Sequence, residues 1–418
     1  MIKILKHFVC LLILCSLIFI SFRANSQEKT IDDYIQVATS NSPLLKDLNN
    51  QILINKLDSA IVLANFKPQV GVNSTGTYAP IIRGFGYDQA LSNGKTFSAL
   101  VTVNQSLLGK RRMNNEIQGL SLLSDSVNNA IKLSVNDLRK NIITQYISAY
   151  SSQKQREFDL KMYRVLKEEE VILKKLTQQN VYKQTDYLSF LVTLQQQELL
   201  MKQNQILASN DLAILNFLSG VVGADSVKLT EPKLASAFQK PLYQSLFLKQ
   251  YRIDSLRIQN SRRIIDLNYQ PRVGVYTDAG YNSSFIEQAY KNFGFSAGFT
   301  VSAPIYDGHQ RKLQYNKLDI QDRTRTNYRD FFIKQYSQQQ QLLKHQLAQQ
   351  ESLFGKINEQ IRFTESLIKI DGKLLQTGDI TIADFILAIR NYLDAQNLSR
   401  QTNVTRLELI NQLNYWQQ

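Results

Sequence analysis

Residues 292–304 read NFGFSAGFTVSAP, a stretch in which apolar and polar or small residues alternate without a break. Successive side chains of an extended strand point to opposite faces, so this pattern predicts a strand with one apolar and one polar face. The apolar face would carry Phe293, Phe295, Ala297, Phe299, Val301 and Ala303, and the polar face Asn292, Gly294, Ser296, Gly298, Thr300 and Ser302.

Such a strand fits either a soluble β-sandwich or a membrane barrel. The polar face holds small residues and neither Lys nor Glu, as in a water-filled lumen, and the sequence has no further strands for a second sheet. A tilted strand of about ten residues is long enough to cross a bilayer. We therefore interpret this segment as a transmembrane strand, with Phe293, Phe295, Phe299 and Val301 facing lipid.

The chain also repeats itself. Residues 67–72 (KPQVGV) return as residues 270–275 (QPRVGV), and Phe97-Ser98-Ala99 returns as Phe295-Ser296-Ala297. Residues 180–187 (NVYKQTDY) match residues 378–385 (GDITIADF) in the same order. Matched landmarks in one order indicate a duplicated unit.

These landmarks predict the domain organisation. The first repeat covers residues 27–222, with strands at about 69–80 and 96–106, and residues 223–240 form a linker. The second repeat covers residues 241–418, with strands at about 271–281 and 293–304. An opening helix over residues 30–66 is interrupted at Asn41-Ser42-Pro43, because the residue before a proline avoids helical geometry.

A very long helix is expected after each hairpin, over residues 109–179 and 308–376. At 1.5 Å per residue, roughly seventy residues would form a rod on the order of 100 Å long, with a narrow coiled-coil stripe. Each rod should end in a tight reversal at Asn180 or Gly378, residue types that tolerate left-handed geometry. Thr381 and Asp384 then have the spacing of a capping box for the return helix.

The N-terminus predicts export. Residues 1–26 combine Lys3 and Lys6, an apolar run and the small residues Ala24 and Ser26, as in a cleaved signal peptide. Lipidation at Cys15 is the alternative, but the preceding Leu12-Ile13-Leu14 lacks the small residues that such processing prefers. Both cysteines lie in this segment, so the mature chain has neither disulfides nor thiolate metal sites. Export and membrane strands together point to a bacterial outer membrane.

Other classes of function find little support. The net charge is +14, but Lys and Arg are spread along helices without interleaved stacking aromatics, which argues against a nucleic-acid partner. His309 and His345 have no neighbouring ligand set, so we expect no metal site. No nucleophile, phosphate-binding or paired-carboxylate motif appears, so we expect neither an enzyme nor a cofactor.

Two hairpins cannot close a barrel alone. In lipid each unpaired backbone group is costly, so the open edges of the sheet must pair with other copies of the chain.

The chain resembles the TolC-like outer-membrane efflux proteins over essentially its whole mature length. The resemblance rests on the strands that begin just after a proline, at Lys67-Pro68 and Gln270-Pro271. It rests also on the segment at the end of the last strand, residues 303–308 (APIYDG), and on the motif at residues 377–384 (TGDITIAD). It implies a mainly α-helical protein with a transmembrane β-barrel portion. Three protomers would supply a twelve-stranded barrel, and their helices would form a periplasmic coiled-coil tunnel.

The resemblance also implies a function and partners. The protein would be the passive exit duct of a tripartite efflux or type I secretion system. Its partners would be two further copies of itself, outer-membrane lipid, a periplasmic adaptor and an inner-membrane pump. The remaining alternative is a periplasmic structural or adaptor coiled coil that does not conduct. That alternative lacks the lipoyl-like domain expected of an adaptor and leaves residues 293–303 unexplained.

The resemblance places functional residues at the helix tips. Asp384 and Asp186 would form the periplasmic gate, although the family's second ring aspartate is Leu387 here and its lock arginine is Ile380. Lys183 would partly replace that arginine. Capping of a helix N-terminus is the simpler explanation of both aspartates. The adaptor would contact the reversals at Asn180, Lys183, Gly378, Asp379 and Thr381.

Overall fold

The computed structural model describes residues 28–88, 91, 94–222, 227–236 and 241–417. The expected signal peptide, with Cys15, lies outside the described residues, as does much of the expected linker at residues 223–240.

The first helical segment is divided where the sequence predicted. Helix α1 spans Ile31–Asn41 and α2 spans Pro43–Asn65, with Ser42 between them. Thr30 caps α1 in a reciprocal capping box, in which the Asp33 carboxylate accepts a hydrogen bond from the Thr30 backbone N–H at 2.8 Å. Pro43 begins α2 because a proline at the first helical position loses no hydrogen bond.

Long helices make up most of the rest. Helix α3 spans Lys110–Gln178 and α4 spans Gln184–Ser219. A 3-10 turn at Leu242–Gln244 leads into α5, Leu246–Asn268, and the second hairpin is followed by α6, Gln310–Thr377, and α7, Ile382–Trp416. In the part of the chain that the structure describes, no helix combines the length and apolar character needed to cross a membrane.

Four strands form one antiparallel sheet in the order β1-β2-β3-β4. Their bounds are Gln69–Tyr78, Lys95–Ser106, Arg272–Ser283 and Phe293–Ser302. Each repeat contributes one hairpin. Val70 pairs with Val103 in the first hairpin, and Val275 pairs with Phe299 in the second. The two repeats join through β2 and β3, where Ala99 lies opposite Tyr281.

The strand ends differ from the predicted ones by at most two residues, and proline explains two of the differences. Strand β1 ends at Tyr78 and β4 ends at Ser302, each two residues before a proline, Pro80 and Pro304. A proline has no N–H to extend the ladder of hydrogen bonds. Strand β3 continues to Ser283, two residues beyond the predicted end, and still pairs there with Phe97.

The chain forms two compact units, and each is assembled from both sequence repeats. The tip unit comprises the described parts of residues 1–43, Val135–Lys240 and Tyr336–Gln418. The sheet unit comprises Leu44–Ser134 and Pro241–Gln335.

The tip unit has several apolar clusters. One cluster surrounds Tyr34 and Tyr146, whose rings meet edge to face at 5.9 Å. The Tyr146 hydroxyl lies 2.8 Å from the carbonyl oxygens of both Lys29 and Thr230, so it holds the N-terminal segment beside the segment that joins the repeats.

Candidate functional site

One face of the sheet is apolar across all four strands. The register places Val72, Val101, Ala279 and Phe295 in one row. The side chains on the two outer strands are highly exposed, and on β4 Phe295 is 87% and Phe299 76% accessible. Phe293 and Val301 are exposed on the same face. A large, contiguous patch of exposed apolar side chains is typical of a surface that is covered by a membrane or by another protein.

The opposite face is mainly polar, and on β4 it consists of small residues: Gly294, Ser296, Gly298, Thr300 and Ser302. On it the Ser296 hydroxyl donates to the Asp278 carboxylate, with 2.9 Å to each carboxylate oxygen. The Tyr276 ring lies over Gly298, where an added Cβ would come within 2.6 Å of the ring. Because Gly298 has no side chain, the Tyr276 ring can pack against the sheet at this position.

Both outer edges of the sheet are open. Among the described residues, no strand pairs with the outer edge of β1 or of β4. An exposed strand edge pairs readily with another chain, and in hydrocarbon each unpaired backbone group would cost several kcal/mol. The edges therefore require a partner if this sheet lies in a membrane.

The two helix reversals have the geometry that the sequence predicted. Asn180 and Gly378 adopt left-handed φ angles of 62° and 83°. The next N–H in each reversal bonds back to a helix carbonyl: Val181 to Leu176 at 2.9 Å, and Asp379 to Leu374 at 2.9 Å. This pair of features is the Schellman motif, which satisfies carbonyls that a helix end leaves free.

The two reversals touch each other. A Cβ added at Gly378 would lie 3.1 Å from a methyl carbon of Val181, so the glycine is needed for contact as well as for its φ angle. The Tyr182 hydroxyl reaches from the first reversal to the second, 2.7 Å from the Leu375 carbonyl oxygen and 3.0 Å from that of Ile380. One side chain thus links the two repeats at the tips.

A compact apolar core supports the reversals. Phe190 and Phe385 stack there with ring centroids 6.5 Å apart, and both are essentially inaccessible to water. Tyr187 borders the core and donates a hydrogen bond of 2.7 Å to Glu170. Burial and this hydrogen bond raise the pKa of Tyr187 to about 12, while the same bond lowers the pKa of Glu170.

Thr381 is the N-cap of helix α7, and its capping box is completed by Asp384. The Asp384 carboxylate accepts hydrogen bonds from the Thr381 hydroxyl at 2.6 Å and the Thr381 N–H at 3.3 Å, and Thr381 accepts in return from the Asp384 N–H. The side chain is nevertheless exposed. Burial and then the nearby charge of Asp384 raise the pKa of the Asp371 carboxyl. The tip therefore presents two neighbouring carboxyl groups, one exposed and one partly buried.

Asp186 has a different setting. Helix α4 begins after Lys183, whose side chain makes no capping bond, and Asp186 lies in its first turn, whereas Thr381 and Asp384 form a reciprocal capping box. Asp186 instead lines a groove of about 520 Å³ between the first turns of α4 and α7, together with Leu387 and Arg390. Asp384 is not among the residues that line this groove.

The five residues expected at the adaptor contact, Asn180, Lys183, Gly378, Asp379 and Thr381, are all exposed. Within the described ranges, no three His, Cys, Asp or Glu side chains come close enough to share a metal ion.

Sequence analysis missed Tyr182 and Asp371. Tyr182 lies inside the repeated motif, and its counterpart in the second repeat is Ile380. A tyrosine in one copy and an apolar residue without a hydroxyl in the other is the difference from which a role for Tyr182 could have been predicted. Asp371 gave no such signal, because only the packing of α6 against α7 brings it near Asp384.

Comparison with known proteins identifies the fold. No family model matches the chain. No curated protein matches it either. Among solved structures, the outer-membrane protein VceC of Vibrio cholerae aligns with a TM-score of 0.74 at 12% identity, over 92% of this chain and 95% of VceC. The CmeC outer-membrane channel of Campylobacter jejuni aligns with a TM-score of 0.70 at 11% identity, over 93% of this chain and 86% of CmeC.

The open state of the MtrE outer-membrane channel of Neisseria gonorrhoeae gives a TM-score of 0.70 at 12% identity, over 92% of this chain and 88% of MtrE. CmeC and MtrE are outer-membrane channels and VceC is an outer-membrane protein, and their likeness extends over nearly the whole chain. The resemblance predicted from the repeated strands and tips is confirmed at the level of the fold: this chain has the fold of the TolC-like outer-membrane efflux channels.

Proposed function

We propose that this protein is the outer-membrane exit duct of a tripartite efflux or type I secretion system. The observation that carries the proposal is the sheet, with one apolar exposed face and two open edges. Three copies joined edge to edge would form a closed barrel of twelve strands with its apolar face toward lipid. Closure is the arrangement that satisfies every strand backbone in a membrane.

The polar face supports a conducting interior. Ser296, Gly298 and Thr300 would face the lumen, where small side chains leave the bore open. The rival function, a periplasmic structural or adaptor coiled coil, leaves the apolar face without a purpose, because such a protein would expose Phe295 and Phe299 to water.

Reconstitution tests the proposal. The mature protein should run as a heat-resistant trimer after extraction from lipid, and it should conduct ions in a planar bilayer. A monomer, or a trimer that adds no conductance to the bilayer, would favour the structural coiled coil.

We further propose that the tips receive a periplasmic adaptor bound to an inner-membrane pump, and that export is passive. The exposed reversals, with Asn180, Lys183, Gly378, Asp379 and Thr381, offer a surface for helix packing. The chemistry at Asp384 supports a gate, because a ring of carboxylates is a common source of cation preference in a pore. Asp371 would add a second carboxyl group beside each Asp384. For Asp186 we propose a smaller part in the gate, through its groove with Arg390.

Asp384→Asn should separate gating from helix capping. Asparagine keeps an oxygen that accepts the Thr381 hydrogen bonds, but it removes the charge. We expect block by hexamminecobalt(III) from the periplasmic side to weaken by roughly tenfold or more, because the ring loses its cation attraction. The capping charge contributes only about 0.3–1 kcal/mol, so trimer yield should stay close to wild type.

Single-channel recording of wild type, Asp384→Asn and Asp384→Ala provides the measurement. The block should weaken to a similar extent in both variants, because both remove the charge of the ring. An unchanged block in Asp384→Asn would place the gate elsewhere and leave Asp384 as a helix cap.

A further inference from the structure

A groove in the sheet unit lies where β2 ends and α3 begins. It has a volume of about 770 Å³, and its lining includes the apolar side chains of Phe66, Leu108 and Leu267. The Phe66 ring packs directly on Gly109, where an added Cβ would lie 2.4 Å from a ring carbon. The absence of a side chain at position 109 therefore leaves room for the Phe66 ring in the lining of the groove.

The lining of the groove is also basic. Lys110, Arg111, Arg112 and Arg272 contribute to it, and Glu116 is the one acid among the lining residues. Glu116 is engaged by Arg112, with a nitrogen-to-oxygen distance of 3.0 Å. The lining thus combines apolar side chains with a surplus of positive charge, a combination that suits an amphipathic anion.

The groove continues the apolar face of the sheet. Leu107 follows the alternation of β2 onto that face, and its N–H bonds to the Val273 carbonyl oxygen at 2.9 Å. Leu107 and Leu108 are 55% and 64% exposed, just before the basic residues. If the apolar face contacts lipid tails, these leucines mark the end of the hydrocarbon layer and the cations lie at headgroup level.

The second repeat has the apolar part of this arrangement with fewer cations. Ile305 and Tyr306 occupy the positions of Leu107 and Leu108 and are 100% and 81% exposed. Two cations follow, Arg311 and Lys312, and Arg311 is paired with Asp266 at 2.7 Å and lies over the Tyr269 ring. The two strand exits are therefore alike in their apolar residues and unlike in their available charge.

We propose that the groove of the first repeat binds an anionic phospholipid of the membrane leaflet that faces the helices. Lys110 and Arg111 would hold its phosphodiester, and its acyl chain would lie over Leu107 and Leu108 and enter beside Phe66. This inference rests on the proposed function, because it requires the sheet to lie in a membrane.

Native mass spectrometry of the full mature trimer tests the site. Phosphatidylglycerol should be retained in preference to phosphatidylcholine with the same acyl chains. An excess of glycerol 3-phosphate should not displace it, because the free headgroup lacks the chain that the groove holds. The double variant Lys110→Gln, Arg111→Gln should weaken the retention of phosphatidylglycerol about thirtyfold. Each of the two lost cations contributes about the same factor to the affinity for an anionic lipid.

The matched control is Lys317→Gln with Arg323→Gln, which removes the same charge from exposed positions on α6 outside the groove. It should retain phosphatidylglycerol as wild type does. Equal loss in both double variants would show a general charge effect, and equal retention of the two lipids by wild type would show that only the chain is recognised. Displacement by glycerol 3-phosphate would show a site for free anions. Any of these three results overturns the proposal.

The proposed function would fail separately. A protein that forms a conducting trimer but shows no preference for phosphatidylglycerol contradicts the lipid site alone. A protein that neither trimerises nor conducts contradicts the duct itself.

Discussion

Phe299→Arg should remove most of the membrane-assembled protein, whereas Thr300→Arg should leave assembly close to wild type. The two residues are neighbours on β4 but face opposite sides, and Phe299 is 76% exposed on the apolar face. An arginine on the lipid side of a barrel costs about 2–4 kcal/mol near the bilayer midplane, and each trimer would carry three of them. On the polar side the same arginine stays in water.

Heat-resistant trimer in outer-membrane fractions, compared with total expressed protein, is the measurement. Thr300→Arg is the matched control, because it adds the same side chain one position away. Equal losses in the two variants would contradict the assignment of faces. Loss in Thr300→Arg alone would reverse that assignment.

Phe385→Ala should open the helix tips while leaving the sheet assembled. Phe385 is 1% exposed and stacks on Phe190 in the core beneath the reversals. Removing a buried phenylalanine side chain typically costs about 3–5 kcal/mol, because the surrounding residues fill the cavity only in part. The loss should be local, since this core lies wholly within the tip unit.

Hydrogen exchange and limited proteolysis provide the readouts. Faster exchange is expected around Asn180 and Gly378, together with weaker cross-linking to an adaptor, while the trimer remains in the membrane. Leu387→Ala is the control, because Leu387 lies on the same helix two residues away and is 58% exposed. Similar exchange in the two variants would show that the Phe385 core does not hold the tips.

Local sequence was sufficient for the strands, the turns and the caps. Alternation over residues 293–302 predicts β4 because side chains of a strand point to opposite faces in turn. Gly378 and Asn180 predict the reversals because few other residues tolerate a left-handed φ angle. Thr381 and Asp384 predict the start of α7 because the capping box uses atoms only three residues apart. Each inference depends on neighbours in the chain.

Contacts between distant residues were decided by the tertiary structure. The pairing of Ala99 with Tyr281 joins the repeats into one sheet, and the bond from the Tyr182 hydroxyl to the Ile380 carbonyl joins their tips. Neither contact has a periodic signal, because it arises only when segments almost two hundred residues apart pack together. The proximity of Asp371 to Asp384 has the same origin. The sequence alone determined the elements and, to within about two residues, the ends of the strands, where short-range hydrogen bonds and sterics govern. The partners of those elements were decided by packing, because burial and long-range hydrogen bonds select among many arrangements that the same local pattern allows.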